Sequence, residues 1–170
     1  HDLDELHKWE VMWGMSFNPS KCHVMHMTRK IKPILKDYTL KGETLKTVES
    51  ATYLGIELSS DLSWHKHITK VCNKANRTLG FVKRNIVTAS TKAKQTAYQT
   101  LVRPQTEYAA SVWDPKIVHH QHSIEMVQRR AARWVCSEYG WEASVTEMIK
   151  KLEWETLEAR RAKMRVLMLC

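Results

Sequence analysis

Five cations recur along one stretch of this chain: Lys66, Lys70, Lys74, Arg77 and Arg84. At 100 degrees per residue they share an arc of about 80 degrees on a helix. Ile68, Val71, Cys72, Ala75, Leu79 and Val82 fall on the opposite side. From Leu62 to Arg103 there are nine basic residues and no acidic one. Like charges four residues apart repel by roughly a few tenths of a kcal/mol per pair, so a helix selected for stability alone would mix in glutamate. A row of cations without counter-charges suits a sugar-phosphate backbone, bound with little sequence preference and a steep dependence on salt. The plain alternative is a solvated basic face with no partner. A membrane-surface helix is the third reading, and it competes with the core for the apolar face.

Other residue groups with chemical potential are weaker. Cys22, His23 and His26 could suggest zinc, but strand alternation separates His23 from the other two. A structural zinc site also needs four ligands, and there is no second pair, so no metal is expected. His65 and His67 point in different directions on a helix, and His119, His120 and His122 fall where capping or solvent exposure is the default. Neither a Cys-His nucleophile arrangement nor a glycine-rich phosphate loop is present. Trp113, Trp134, Trp141 and Trp154 have helical spacing and read as core. Arg130 and Arg133 share a helix face and extend the basic surface. Arg160, Arg161, Lys163 and Arg165 form a second cluster, with Glu153, Glu155 and Glu158 beside it to neutralise it in place.

These residues sit in a chain of 170 residues with a formal charge of +9. Residues 1–60 carry eight basic and eight acidic residues, so residues 61–170 hold the whole excess. The opening residues predict a helix ended by Gly14, then a turn at Asn18-Pro19-Ser20 and a strand over Cys22–Thr28. Tyr38–Lys46 predicts a hairpin with Gly42 at its tip, and Thr52–Leu58 a further strand. Beyond Ser60 the periodicity is helical. Helices are expected over Trp64–Arg84, Ser90–Val102 with a stop at Pro104, Gln105–Val112, Gln121–Val135, Ser144–Leu152 and Thr156–Met168. The fold class is therefore α+β, a small antiparallel β portion over 1–60 and a helical lobe over 61–170. Four isolated cysteines suggest reduced thiols. No apolar run reaches the roughly 18 residues of a membrane span. An intracellular location, nucleus or cytoplasm, is expected, with no membrane partner. Both ends fall inside amphipathic patterns, so the chain reads as part of a longer polypeptide.

Several segments, taken in order, resemble a known family. Trp13-Gly14-Met15-Ser16-Phe17-Asn18-Pro19-Ser20-Lys21-Cys22 is similar to the helix-turn-strand segment called motif D in non-LTR retrotransposon reverse transcriptases of the jockey-like type. Thr52-Tyr53-Leu54-Gly55-Ile56, followed by Leu62-Ser63-Trp64-His65-Lys66-His67-Ile68, resembles their primer-grip hairpin leading into the thumb. Leu101-Val102-Arg103-Pro104, Glu107-Tyr108-Ala109, Val112-Trp113-Asp114-Pro115 and Ile124–Ala131 resemble the helical continuation. The likeness spans nearly the whole chain.

The resemblance implies the last part of a polymerase palm and its thumb, a fragment of an RNA-directed DNA polymerase that grips a template-primer duplex. Its partners would be an RNA template with a DNA primer and the remainder of the polymerase. Mg2+ is expected in the full-length parent and no cofactor in this chain. Two-metal nucleotidyl transfer needs convergent carboxylates holding two cations about 4 Å apart. The family carries them in an aromatic-x-Asp-Asp motif, which Asp2-Leu3-Asp4 does not match. The chain alone is thus expected not to polymerise. Lys21 matches the motif D lysine, a candidate general acid for the leaving pyrophosphate. Its plain alternative is a surface lysine after a turn. Tyr53, Leu54 and Gly55 match the primer grip, where a glycine permits close approach of a nucleic-acid backbone. The alternative to an enzyme fragment is a stand-alone helical nucleic-acid binder derived from a retroelement.

Overall fold

The computed structural model describes residues 2–28, 30–32 and 34–168. These divide into two compact units, one ending at Trp64 and the other beginning at His65. The fold class is α+β, as the sequence implies.

In the first unit, helix α1 (Asp2–Met12) has Asp2, Asp4 and Glu5 in its first turn, where acids oppose the helix dipole. Gly14, at φ +64°, ends it in the left-handed conformation that glycine adopts without strain. A 3-10 turn (Pro19–Lys21) follows, its Ser20 amide donating to the Asn18 side chain. Strand β1 is only His23–Val24, shorter than the expected Cys22–Thr28. It pairs in parallel with β4 (Lys46–Thr47), the one parallel pairing among the described strands. Strands β2 (Thr39–Leu40) and β3 (Glu43–Thr44) form the expected hairpin, with Lys41 and Gly42 both at positive φ, as a tight two-residue turn requires. The single strand that composition predicts over Thr52–Leu58 is instead a second hairpin, as the resemblance implies, β5 (Ser50–Tyr53) with β6 (Ile56–Ser59). Leu54 and Gly55 both take positive φ and turn the chain back. Leucine seldom adopts that conformation, so the composition of the run concealed the reversal.

The second unit is helical. Helix α2 (His65–Asn85) turns Ala75, Leu79 and Val82 inward. They pack with Ala97, Tyr98 and Val102, with Val127, Ala131, Ala132, Trp134 and Val135 of α6 (Val118–Cys136), and with Val145 and Met148 of α7 (Val145–Lys151). Tyr98 stacks on Trp154 at 4.4 Å, and its hydroxyl donates to Gln128 Oε1 at 2.9 Å. Truncating one such buried aliphatic side chain to alanine costs about 2–5 kcal/mol. Ser144 caps α7, and Thr156 caps α8 (Leu157–Leu167), each accepting from a first-turn amide.

Pro104 does not end the second helix as expected. Helix α3 (Thr91–Ala97) widens into a π-helical turn over Tyr98–Val102 and runs on into α4 (Arg103–Glu107). The wide turn takes up the missing proline amide, and the Gln105 side chain donates to the Leu101 carbonyl at 2.7 Å. The break comes at Ala109, at φ +50°, before the short α5 (Ala110–Trp113). Among the described residues no helix is long and apolar enough to cross a membrane.

Candidate nucleic-acid interface

The apolar face of α2 is drawn into the core, so its opposite face meets solvent. Lys66, Lys70, Lys74, Arg77 and Arg84 are all exposed there. No acid lies within the helix. Lys70, Asn73, Asn76, Arg77, Gly80 and Arg84 line an open cleft of about 790 Å³ along this face. Glycine inside a helix costs about 1 kcal/mol relative to alanine. Gly80 keeps that cleft clear of a side chain. Helix α6 adds a sixth cation: Arg130 donates to Asn76 Oδ1 at 3.2 Å. Burial, and after it Arg130, pushes the Lys83 pKa down.

Not every basic residue of the segment joins this face. Lys94 is buried, donates to Ser137 Oγ at 2.8 Å and lies 6.0 Å over the Trp134 ring. Arg103 turns toward Glu107. Arg133 donates to the Gly140 carbonyl rather than lying open beside Arg130.

The α8 cluster behaves differently from the α2 row. Arg161, 1% exposed, donates through Nε to Asp114 Oδ1 at 2.7 Å, and Arg165 reaches Asp114 Oδ2 at 2.7 Å. Arg160 pairs with Glu107, with Nη2 to Oε2 at 3.2 Å. Lys163 pairs with Glu155. The expected neutralisation by neighbouring glutamates therefore holds for Glu155, while the main counter-charges come from Glu107 and Asp114, far away in sequence. Glu125 accepts from the Leu157 amide at the start of α8 at 3.0 Å, and burial pushes its pKa up. Gln128 donates to the Glu155 carbonyl at 2.9 Å. Most of the segment Ile124–Ala131 thus builds the lobe rather than a contact surface.

Trp113, Trp134 and Trp154 are buried as expected, but Trp141 is not: it is 90% exposed in the loop between α6 and α7, beside the exposed Tyr139. That loop lacks a helical face to turn inward. Trp113 Nε1 donates to the Tyr108 carbonyl, and the buried His67 meets its ring edge-on at 5.0 Å. His65 and His120 face each other, Nδ1 to Nε2, at 3.4 Å. Burial, then His65 and His119, pushes the His120 pKa down.

In the first unit Lys21 is exposed at the end of the 3-10 turn. Tyr53 and Leu54 are 66% and 73% exposed at the tip of the β5–β6 hairpin, next to Gly55. Glu10, which the sequence does not single out, organises the segment before Lys21. It is 2% exposed, pairs with Lys41 at 2.7 Å and His7 at 2.6 Å, and accepts from the Phe17 amide at 2.6 Å. The Lys41 hydrogen bond outweighs burial, and with the Phe17 amide and His7 it holds the Glu10 carboxyl at about 2. Lys41 also donates to Ser16 Oγ and the Phe17 carbonyl, so one lysine joins the β2–β3 turn to the end of α1.

Among the described residues no three His, Cys, Asp or Glu side chains converge on a possible metal position. The donor set of a two-metal site is thus not met by these residues.

Against known proteins, the chain is 28% identical over 138 residues to the RNA-directed DNA polymerase from mobile element jockey of Drosophila funebris, covering 77% of this chain and 14% of that protein. The chain is similar to the polymerases of jockey-like mobile elements. It is 27% identical over 135 residues to the probable RNA-directed DNA polymerase from transposon BS of Drosophila melanogaster, covering 77% of this chain and 15% of that protein. With that from transposon X-element it shares 22% over 131 residues, 75% of this chain and 14% of that protein. The chain therefore spans about one seventh of the length of these jockey-like relatives. No protein-family model matches it, and no solved structure does.

Proposed function

We propose that this chain is a fragment of an RNA-directed DNA polymerase of a non-LTR retrotransposon, and that its α2 face grips the template-primer duplex. One observation carries the reading: five cations stand exposed on one helix face with no acid in that helix, while the lobe's other dense cluster is matched by carboxylates. The similarity to polymerases of mobile elements supports the enzyme context. The ligand is an RNA–DNA hybrid, held by its sugar-phosphate chains. Tyr53, Leu54 and Gly55 contribute a second contact at a hairpin tip, where an exposed leucine is held at φ +47°. Such strain persists where surrounding structure enforces it and often marks a working site. Lys21 supplies a cation toward the leaving pyrophosphate. The metal-binding aspartates and the Mg2+ belong to the remainder of the polypeptide, so the chain by itself holds nucleic acid without extending a primer.

The test is a salt titration of binding to a hybrid duplex. Wild-type chain should bind unrelated sequences about equally, with affinity falling steeply as salt rises. Lys70→Glu combined with Lys74→Glu should weaken every sequence alike and lower the log–log salt slope by about two. Unchanged affinity and slope in that variant would remove α2 as the contact surface.

A further inference from the structure

We infer that Phe81 is a stacking platform for an unpaired nucleobase, so that the α2 track accepts a single strand as well as a duplex. This rests on the reading of α2 as a nucleic-acid contact and adds which form of nucleic acid the face can distinguish.

Phe81 is the only Phe, Tyr or Trp of α2, and it is 59% exposed. At 100 degrees per residue it lies within the arc of the cations, at about the angle midway between Lys70 and Lys74. Arg77 precedes it by four residues and Arg84 follows by three, the two spacings that place side chains side by side on a helix. Those arginines stand seven residues apart, about 10.5 Å along the axis, with the ring between them. Burying a phenylalanine is worth about 1.5–3 kcal/mol, and most of that is forgone here. Core packing therefore does not explain an aromatic ring at this position.

The cleft described above lies on the other side of the same row. Asn73, Asn76 and Gly80 line it, while Phe81 does not. Across the helix face the order is cleft, arginines, ring. A strand whose phosphates follow Arg77 and Arg84 would bring its bases to one flank, within reach of the ring. Every base has a π-face, so such stacking tolerates sequence, in keeping with phosphate contacts that carry no sequence information. Inside a duplex the bases are already stacked on one another. An exposed ring then gains only at a terminal or unpaired base, and this makes Phe81 a discriminator of strandedness where the cations are not.

The experiment compares the full chain with Phe81→Ala, Phe81→Trp and the Lys70→Glu/Lys74→Glu variant. Each is titrated by fluorescence anisotropy against a labelled short oligonucleotide, single-stranded or annealed to its complement, at several salt concentrations. Phe81→Ala should weaken single-strand binding about five- to a hundredfold. It should change blunt-duplex binding less than about twofold and leave the salt slope unaltered, because no phosphate contact is lost. Phe81→Trp should restore affinity, with its added indole emission quenched on binding above the background of the seven native tryptophans. An equal loss on both ligands, or no loss on either, overturns the stacking role while the basic track stands. If the lysine reversal also leaves binding unchanged, the track itself falls and takes the stacking role with it. Equal melting temperatures of wild type and Phe81→Ala exclude a folding effect, since the ring is exposed.

Discussion

Helix α8 carries Arg160, Arg161, Lys163 and Arg165, and helix α2 carries Lys66, Lys70, Lys74, Arg77 and Arg84. As strings of letters both are clusters of cations on amphipathic helices. In the folded lobe Arg161 is buried against Asp114, Arg165 closes on the other oxygen of the same carboxylate, and Arg160 is held by Glu107. The α2 cations are exposed, and Lys70, Arg77 and Arg84 among them line an open cleft. What fixes the α8 cluster in the lobe is the delivery of acids from distant parts of the chain. Asp114 precedes Arg161 by 47 residues, and Glu107 precedes Arg160 by 53. The Val-Trp-Asp-Pro segment thus acts as a clamp: Trp113 fills the interior, and the next residue neutralises a buried guanidinium. A cluster locked by buried carboxylates stabilises the lobe, whereas an exposed row presents its cations at the surface.

The sharpest way to break this contrast is to remove the clamp. Asp114→Ala leaves Arg161 buried without its counter-charge, and the lobe should lose about 3–5 kcal/mol in urea unfolding. The double change Asp114→Leu with Arg161→Met should recover most of that loss, because well-packed apolar replacements of a buried pair are often neutral. Lys74→Ala, made on the exposed row, should stay within about 0.5 kcal/mol of wild type. A similar loss from Asp114→Ala and Lys74→Ala would mean that the two clusters do not differ in kind.

Binding should show the reverse ranking. Arg77→Ala should weaken hybrid binding and reduce the salt slope by about one. Arg165→Ala, on the half-exposed rim of the Asp114 clamp, should leave the slope unchanged and cost about 1 kcal/mol of stability or less. Anisotropy titrations beside urea melts of the same two variants measure both quantities, and a slope change from Arg165→Ala would place α8 in the contact surface.

A smaller effect concerns the first unit, where Glu10 and Lys41 form a clamp of their own. The Lys41 hydrogen bond holds the folded Glu10 carboxyl at about 2, below the ordinary value of 4.5 that it has in the unfolded chain. Its contribution is therefore present above the unfolded value and is lost as pH falls through about 2. Glu10→Gln should destabilise the first unit at neutral pH and match wild type near pH 2. Amide chemical shifts of Phe17 and Lys41 followed by NMR from pH 5 to about 2 would report it. A wild-type transition centred near the ordinary carboxyl value of 4.5, and not near 2, would argue against the clamp.

Much of the local structure could be read from periodicity and turn chemistry. The α2 helix, the β2–β3 hairpin, the Gly14 terminus and the helix starts at Ser144 and Thr156 each depend on a few neighbouring residues, and local rules suffice for them. The failures are equally physical. The β5–β6 reversal, legible from the resemblance but not from composition, rests on Leu54 in a conformation its residue type argues against. The passage through Pro104 depends on a widened turn and a glutamine side chain, which no breaker rule anticipates. Trp141 reads as core only by the default for tryptophan, and the loop it occupies leaves it 90% exposed.

By itself the sequence determined the basic face of α2, because a helix repeats every 3.6 residues and fixes which side chains share a side. It also carried the similarity to mobile-element polymerases in its order of short motifs. Only the tertiary structure decided which cations remain exposed, since neutralisation of Arg160, Arg161 and Arg165 needs carboxylates that packing brings from about fifty residues away. The exposure of Phe81 beside the arginines is likewise a tertiary fact: solvent access is set by what packs against a helix, and sequence periodicity records only its direction.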